Sequence, residues 1–318
     1  MASSKVSVVG AGGNVGSIVA FSIAMQGLCH EVILVDRDVN RAKGKALDMN
    51  QAAAALRSHS IVRAAESYED IKDSRVVVIT AGFPRKPGMS RDDLLFKNAD
   101  IVSEIVEEVK KYAPDAVLII VTNPLDTMTY VALKKSGFPK NRVIGMAGIL
   151  DGARMTHFIH EKLGFGAGQI RATVIGGHGD YMVPLPRYST VAGIPITDLL
   201  TPQELAEIVE LTKNGGAQIV KLLGTSAYFA PGRATAIMVE AILKDSKKIY
   251  PCSTLLEGEY GYEDITNGVP VMLGSNGVEK IIDLQLTPKE KEMFHRSVES
   301  VRELIDTLKN NNYFEDKR

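Results

Sequence analysis

One histidine in this chain has a setting unlike that of the other five. His178 sits in Gly176-Gly177-His178-Gly179-Asp180, where neighbours without side chains let a small molecule approach the ring closely. Imidazole titrates nearer neutrality than any other unperturbed side chain, so it suits giving and taking a proton. A lone histidine is more often a satisfied polar residue, and His30, His59, His157, His160 and His295 are read that way. His157 and His160 make no metal motif, and no metal is expected. Upstream, Asp151 and Arg154 lie close to one helical turn apart in Leu150-Asp151-Gly152-Ala153-Arg154, so carboxylate and guanidinium can share a face. Arg85 and Arg91 flank Pro87-Gly88 in a loop that also carries Pro84, and Asn123 closes the segment Val121-Thr122-Asn123-Pro124. Surface arginines are usually solvated charges and Asn-Pro usually marks a turn. Their joint occurrence directly after strand-like runs marks them here as candidate binding groups.

A second kind of site lies near the start of the chain. Gly10-Ala11-Gly12-Gly13-Asn14-Val15-Gly16 follows a strand-like run and opens a helical one. Glycines there let the backbone come close to a pyrophosphate, which the free N–H groups and dipole of a helix N-terminus then favour. The spacing departs from strict G-x-G-x-x-G by one residue, and Gly10-x-x-Gly13-x-x-Gly16 describes it equally well. Asp36 ends the next strand, 20 residues beyond Gly16. A carboxylate at that place accepts hydrogen bonds from both ribose hydroxyls and repels a 2′-phosphate, so NAD is expected rather than NADP. The blander role for Asp36 is a cap or turn.

These residues need a frame. Lys5–Val9, Glu31–Asp36, a weaker run at Ile61–Ala64, then Arg75–Thr80, Ala116–Thr122 and Arg142–Met146 read as strands. Their nearly continuous apolar character fits strands covered on both faces. Helical periodicity at Val15–Met25, Arg41–Ala55 and around Ile101, Ile105, Val106 and Val109 separates them, which implies right-handed βαβ units. The fold class is therefore α/β, a Rossmann-type doubly wound parallel sheet over residues 1–147. Beyond it, residues 148–318 read as an α+β substrate domain. That part has a helix at Ala153–Leu163, strands at Arg171–Gly176, a helical region Pro202–Leu223, and strands at Gly268–Leu273 and Lys280–Ile282. The last helix has a capping box, Thr287 with Glu290, and Pro288 at its first position. Its apolar face runs through Phe294, Val298, Val301 and Ile305. The two parts are expected to pack tightly with a cleft between them.

The 318 residues carry a formal net charge of -1 with no basic block, which argues against nucleic acid or an anionic membrane surface as partner. Two isolated cysteines, Cys29 and Cys252, make neither a disulfide framework nor a metal site and read as reduced thiols. No signal peptide, transit segment or membrane-spanning apolar run is evident, so a cytoplasmic protein is expected.

Taken together, the glycine turn, the Arg85–Arg91 loop, Val121-Thr122-Asn123-Pro124, Asp151 with Arg154, and Gly-Gly-His178-Gly-Asp resemble the lactate/malate dehydrogenase family. The resemblance runs from the glycine turn to the C-terminal helix. It implies hydride transfer between NAD and a small 2-hydroxy acid, with His178 accepting the hydroxyl proton and Asp151 orienting the ring. It further implies that Arg154 binds the carboxylate beside the reacting carbon and that Arg91 polarises the carbonyl. Arg85 occupies the position at which malate-type members carry a cation and lactate-type members a neutral glutamine, so malate and oxaloacetate are the expected pair. An arginine closed into a site without its carboxylate costs several kcal/mol, roughly a thousandfold in preference. Gly10, Gly12, Gly13, Asn14, Val15, Gly16, Asp36, Thr80, Ala81, Gly82, Asn98, Val121 and Asn123 are the implied cofactor contacts. Asn123 and Thr225 also face the substrate, and the Arg85–Arg91 loop acts as a lid. Members of this type are homodimers or homotetramers, and helices near Ala46–Leu56 and Pro202–Leu223 offer faces that serve either an interface or the core. Three other functions fit parts of the pattern. A lactate or other 2-hydroxyacid dehydrogenase shares all but Arg85. A non-catalytic NAD-binding sensor would lose part of the acid–base set, and an NAD-dependent glycosidase would need metal ligands.

Overall fold

A computed structural model describes residues 4–83 and 90–315. Its first half lays down β1 (Lys5–Val9), α1 (Asn14–Met25), β2 (Glu31–Val35), α2 (Val39–Ala55), β3 (Ile61–Ala64), β4 (Val76–Ile79), α3 (Arg91–Tyr112), β5 (Val117–Ile120), α4 (Leu125–Ser136) and β6 (Val143–Gly145). The six strands pair in parallel in the order 3-2-1-4-5-6. Order reverses between β1 and β4, and ligands of such sheets bind in the crevice beyond the strand ends at that point. The apolar runs that announced these strands are buried as expected, with β4 and β5 buried at every residue.

The second half contributes α5 (Gly148–Leu163), the short strands β7 (Ile170–Arg171), β8 (Val174–Ile175), β9 (Val183–Pro184), β10 (Thr190–Val191) and β11 (Ile194–Pro195), then α6 (Pro202–Leu223), α7 (Phe229–Leu243), β12 (Lys248–Glu257), β13 (Glu263–Gly274), β14 (Gly277–Ile281) and α8 (Pro288–Asn310). β12, β13 and β14 extend the first-half sheet instead of forming one of their own. The full order is β14-β13-β12-β6-β5-β4-β1-β2-β3, and the join is antiparallel at Ser253 opposite Gly145. Only a glycine fits there, since a methyl on Gly145 would stand 2.8 Å from Ser253 Cβ and 2.5 Å from Thr129 Oγ1. A separate small core of Met155, Ile159, Val174, Met182, Ile196 and Ile208 lies under α5 and α6.

Six elements have no counterpart in the sequence-based reading: α4, α7, β12, and the strands β9, β10 and β11, which at two residues each are too short to show a pattern. Helices α4 and α7 are buried around most of their circumference, so they lack the amphipathic stripe that announces a helix. β12 reads KIYPCSTLLE, and its proline and hydroxyl residues obscure a strand whose Pro251 pairs with Pro270 of β13. The capping box expected at Thr287 and Glu290 is present, and Phe294, Val298, Val301 and Ile305 are buried beneath α8. Among the described residues no helix is long and apolar enough to cross a membrane.

β13 touches the histidine turn directly. Gly176 N–H donates to the Gly268 carbonyl at 2.7 Å, and a methyl on Gly268 would stand 2.2 Å from the Gly176 oxygen. Gly268→Ala must push the turn away from the sheet, at a cost of about 1–3 kcal/mol. Denaturant unfolding of the variant should show that loss, and an unchanged midpoint would contradict this packing.

Candidate active site

The glycine turn closes the end of β1 against the end of β4. Gly10 has φ +85° and packs so closely on the next strand that a methyl there would stand 2.6 Å from Ala81 N. Thr80 Oγ1 donates to the Val9 carbonyl at 3.0 Å, and Thr122 Oγ1 donates to the Ala81 carbonyl at 2.7 Å. The strand ends carrying Thr80, Ala81, Gly82 and Val121 are thereby stitched to the turn. Gly16 packs the first turn of α1 on the same point, where a methyl would lie 2.5 Å from the Gly10 oxygen. Asn14 and Val15 open α1 beside Gly13, its N-cap, so unpaired backbone donors face the crevice.

Asp36 joins this cradle. Its Oδ2 accepts Gly12 N–H at 2.8 Å and its Oδ1 accepts Asp38 N–H at 3.1 Å. A methyl on Gly12 would lie 2.6 Å from the carboxylate, so the approach exists only because that residue is glycine. Asp36 thus shapes the turn, and each oxygen keeps a further lone pair for a hydroxyl donor. A glycine cradle with a carboxylate at its rim suits a ribose and pyrophosphate.

Asp151 lies in the first turn of α5 and is 1% exposed. Its two oxygens are both engaged. Oδ2 pairs with His178 Nδ1 at 2.9 Å, and Oδ1 accepts Arg154 Nη1–H at 3.0 Å. The Asp151 contact fixes the ring through Nδ1 and leaves Nε2 as the nitrogen for a reacting group. Burial pulls the imidazole down, but the charge and hydrogen bond of Asp151 outweigh it, helped by Asp126 and opposed by Arg154. The net effect raises His178 above its ordinary value. Arg154 is mostly buried, and its Nε–H has no hydrogen-bond partner among the described residues. Its side chain lies along Gly215 and Gly216, where a methyl on Gly216 would be 3.2 Å from Nη2. That contact accounts for two adjacent glycines in the middle of α6, a costly place for them.

The turn bearing His178 has no helix or strand of its own. Three successive N–H groups hold it instead: Gly176 on the Gly268 carbonyl, Gly177 on Ser297 Oγ at 2.6 Å, and His178 on Asp126 Oδ2 at 2.8 Å. Neither Asp126 nor Ser297 was a sequence-based candidate. The only local signal was a carboxylate three positions beyond Asn123, in a helix with no exposed face.

The remaining candidates fall in several places. Asn98 on α3 is buried, with its Oδ1 accepting Phe83 N–H at 2.7 Å and its Nδ2–H donating to the Asn123 carbonyl at 2.7 Å. It therefore ties two crevice loops together. The Asn123 side chain is exposed at the crevice, ahead of a cis peptide bond to Pro124. Thr225 is exposed in the loop between α6 and α7. Arg91 is the first residue of α3, after an N-cap at Ser90 that forms a capping box with Asp93. Arg85 lies outside the described residues, as do Pro84, Pro87 and Gly88 of the expected lid.

A dinucleotide cradle at the switch point, together with a histidine oriented by a carboxylate and flanked by an arginine, defines a nicotinamide-dependent dehydrogenase. Comparison narrows the class. Residues 4–145 match the lactate/malate dehydrogenase NAD binding domain, and residues 149–312 match the lactate/malate dehydrogenase alpha/beta C-terminal domain. A malate dehydrogenase of Nitratiruptor sp. is 84% identical over 315 residues, covering 99% of each chain. The crystal structure of Cryptosporidium parvum malate dehydrogenase is similar at TM-score 0.92 and 42% identity, over 96% of this chain and 99% of that one. The lactate dehydrogenase of the same organism, solved with lactic acid and nicotinamide adenine dinucleotide, is similar at TM-score 0.92 and 40% identity, over 98% and 99%. The chain belongs to the lactate/malate dehydrogenase family.

The raised imidazole has a consequence for stability. A group whose folded value lies above its unfolded one, near 6.5, stabilises the fold fully below that pH. The contribution is lost as pH rises through the folded value. Unfolding midpoints measured across that window should fall with pH more steeply for the native chain than for His178→Gln. Parallel profiles would contradict the pairing with Asp151.

Proposed function

We propose that the chain catalyses the reversible oxidation of malate to oxaloacetate with NAD. The observation that carries this reading is the buried Asp151 carboxylate holding His178 on one oxygen and Arg154 on the other. NAD, when bound, supplies the hydride acceptor. Gly10, Gly12, Gly13, Asn14, Val15 and Gly16 would hold its pyrophosphate, Asp36 its adenosine ribose, and Thr80, Ala81, Gly82, Val121 and Asn123 its nicotinamide end, with Asn98, whose amide is engaged through both oxygen and nitrogen, acting through the two loops it joins. Residues 1–147 form the cofactor domain in this reading and residues 148–318 the substrate domain.

The chain's own part in the reaction is proton handling and orientation. His178 Nε2 takes the hydroxyl proton during oxidation and returns it during reduction, while Asp151 stabilises the resulting imidazolium. Arg154 engages the carboxylate beside the reacting carbon, a role supported by its unpartnered Nε–H. Arg91 stabilises charge on the reacting oxygen, and Asn123 and Thr225 complete the pocket. Arg85 pairs with the distal carboxylate, which separates malate from lactate. The arginines also favour an anionic substrate by their charge alone.

Purified protein should oxidise NADH rapidly with oxaloacetate, poorly with pyruvate, and poorly when NADPH replaces NADH. Arg85→Gln should lose oxaloacetate turnover and gain on pyruvate, shifting the preference by roughly a thousandfold. Equal rates with both acids in the native chain would remove malate as the substrate, and an unchanged Arg85→Gln variant would remove that residue as the discriminator.

A homodimer or homotetramer is part of the proposal. Its support is a set of exposed apolar side chains, Leu47 on α2 and Leu56 directly after it, with Val220, Leu222, Leu223 and Phe229 around the α6–α7 loop. Light scattering should return two or four times the subunit mass, and a single-subunit mass at micromolar concentration would count against it. A cytoplasmic setting is supported by two free, buried thiols.

A further inference from the structure

Behind the His178 turn lies a carboxylate that the mechanism above leaves unused. Asp126, in the first turn of α4, is 4% exposed, and each of its three oxygens accepts a hydrogen bond. Oδ2 takes the His178 backbone N–H at 2.8 Å, Oδ1 takes Ser253 Oγ–H at 2.6 Å, and its carbonyl takes Thr266 Oγ1–H at 2.7 Å. A buried carboxylate costs several kcal/mol unless its partners are well placed. Tying α4 to β12 and β13 alone would need no charge, because neutral side chains make the same links.

We propose that Asp126 is a positioning residue for His178. Its carboxylate clamps the backbone N–H of that one residue, so that the ring stays on Asp151, and adds a second negative charge behind the ring. This rests on the acid–base role proposed for His178. The charges that bear most on the ring are Asp151 and Arg154 from α5 and Asp126 from α4. The C-terminal helix meets the turn through uncharged Ser297 and Val301, and β13 meets it through Gly268. Burial pushes the Asp126 carboxyl up, against the hydrogen bonds from Ser253 and the His178 N–H.

Two variants separate the clamp from the charge. Asp126→Asn keeps an acceptor for His178 N–H and can donate to Ser253 Oγ, but it is neutral. Asp126→Ala removes both. In oxaloacetate reduction the protonated imidazole is the active form, so kcat/KM falls as pH rises through its titration. Losing a nearby anion must move that limb to lower pH. Asp126→Ala should lose about 100-fold in kcat while NADH affinity, read by fluorescence, stays within about twofold. Asp126→Asn should keep kcat within about tenfold and show the displaced limb. An Asp126→Ala variant within about threefold of the native kcat, or an Asp126→Asn limb that does not move, overturns the proposal. If Asp126→Ala does not fold, the Asp126→Asn limb decides alone. His178→Asn is measured alongside. Surviving turnover there defeats the acid–base reading itself, whereas a dead His178→Asn beside native-like Asp126 variants defeats only this inference.

Discussion

A carboxylate at 1% exposure is tolerable only when its oxygens are satisfied, and the site is organised around satisfying Asp151. One oxygen holds the imidazole and the other holds a guanidinium. Removing either partner would leave one oxygen of a buried carboxylate unsatisfied, which is more costly than the contact itself is stabilising. The arrangement also sets the proton chemistry. With Nδ1 committed to Asp151, only Nε2 is left for a reacting group, and the imidazolium has its counter-charge in place before it forms. Asp151 at the N-terminal turn of α5 gains from the helix dipole as well.

That interaction demands accuracy from a segment poorly suited to give it. The histidine turn carries Gly176, Gly177 and Gly179, and glycine leaves the backbone free to wander. The structure answers with three consecutive N–H anchors on three different elements, β13, α8 and α4. The elements that provide them are themselves joined. Ser253 sits opposite Gly145 where the antiparallel strands continue the parallel sheet, and the same side chain donates to Asp126. The joint between the two halves of the chain and the support of the histidine therefore share a residue. Distortion of the sheet at that joint would reach the ring within two hydrogen bonds.

Much of this could be read from residues alone, for identifiable reasons. β4, β5, α6 and the capping box of α8 announce themselves through unbroken apolar runs and side-chain caps, which are local signals. The glycine turn and Asp36 were legible together because they lie within one βαβ unit, where the structure joins Gly12 N–H to the Asp36 carboxylate. His178, Asp151 and Arg154 stood out by neighbours in sequence. Asp126, Ser253 and Ser297 did not, because their roles exist only through contacts 52, 127 and 120 residues away. The continuous nine-stranded sheet was hidden for a related reason. Pairing between β6 and β12 leaves no periodicity in either strand. Gly215-Gly216 is the opposite case, a visible anomaly whose cause, the flank of Arg154, lies on another helix.

A scaffold common to lactate- and malate-named relatives cannot itself choose between their substrates. In the proposed mechanism Asp151, His178 and Arg154 serve the part that any 2-hydroxy acid has, one carboxylate beside one hydroxyl. Discrimination must come from groups that meet the rest of the molecule, and these can vary only where variation leaves the pair on Asp151 undisturbed. The segment from 84 to 89 meets that condition at both its borders. Phe83 is pinned through its backbone to Asn98, and Ser90 is locked as the N-cap of α3 by its capping box with Asp93. With both borders fixed on α3, a change of charge between them need not be transmitted into the sheet or the histidine turn. In the proposed reading substrate choice and proton transfer rest on separate supports, so one charge sets the first without retuning the second.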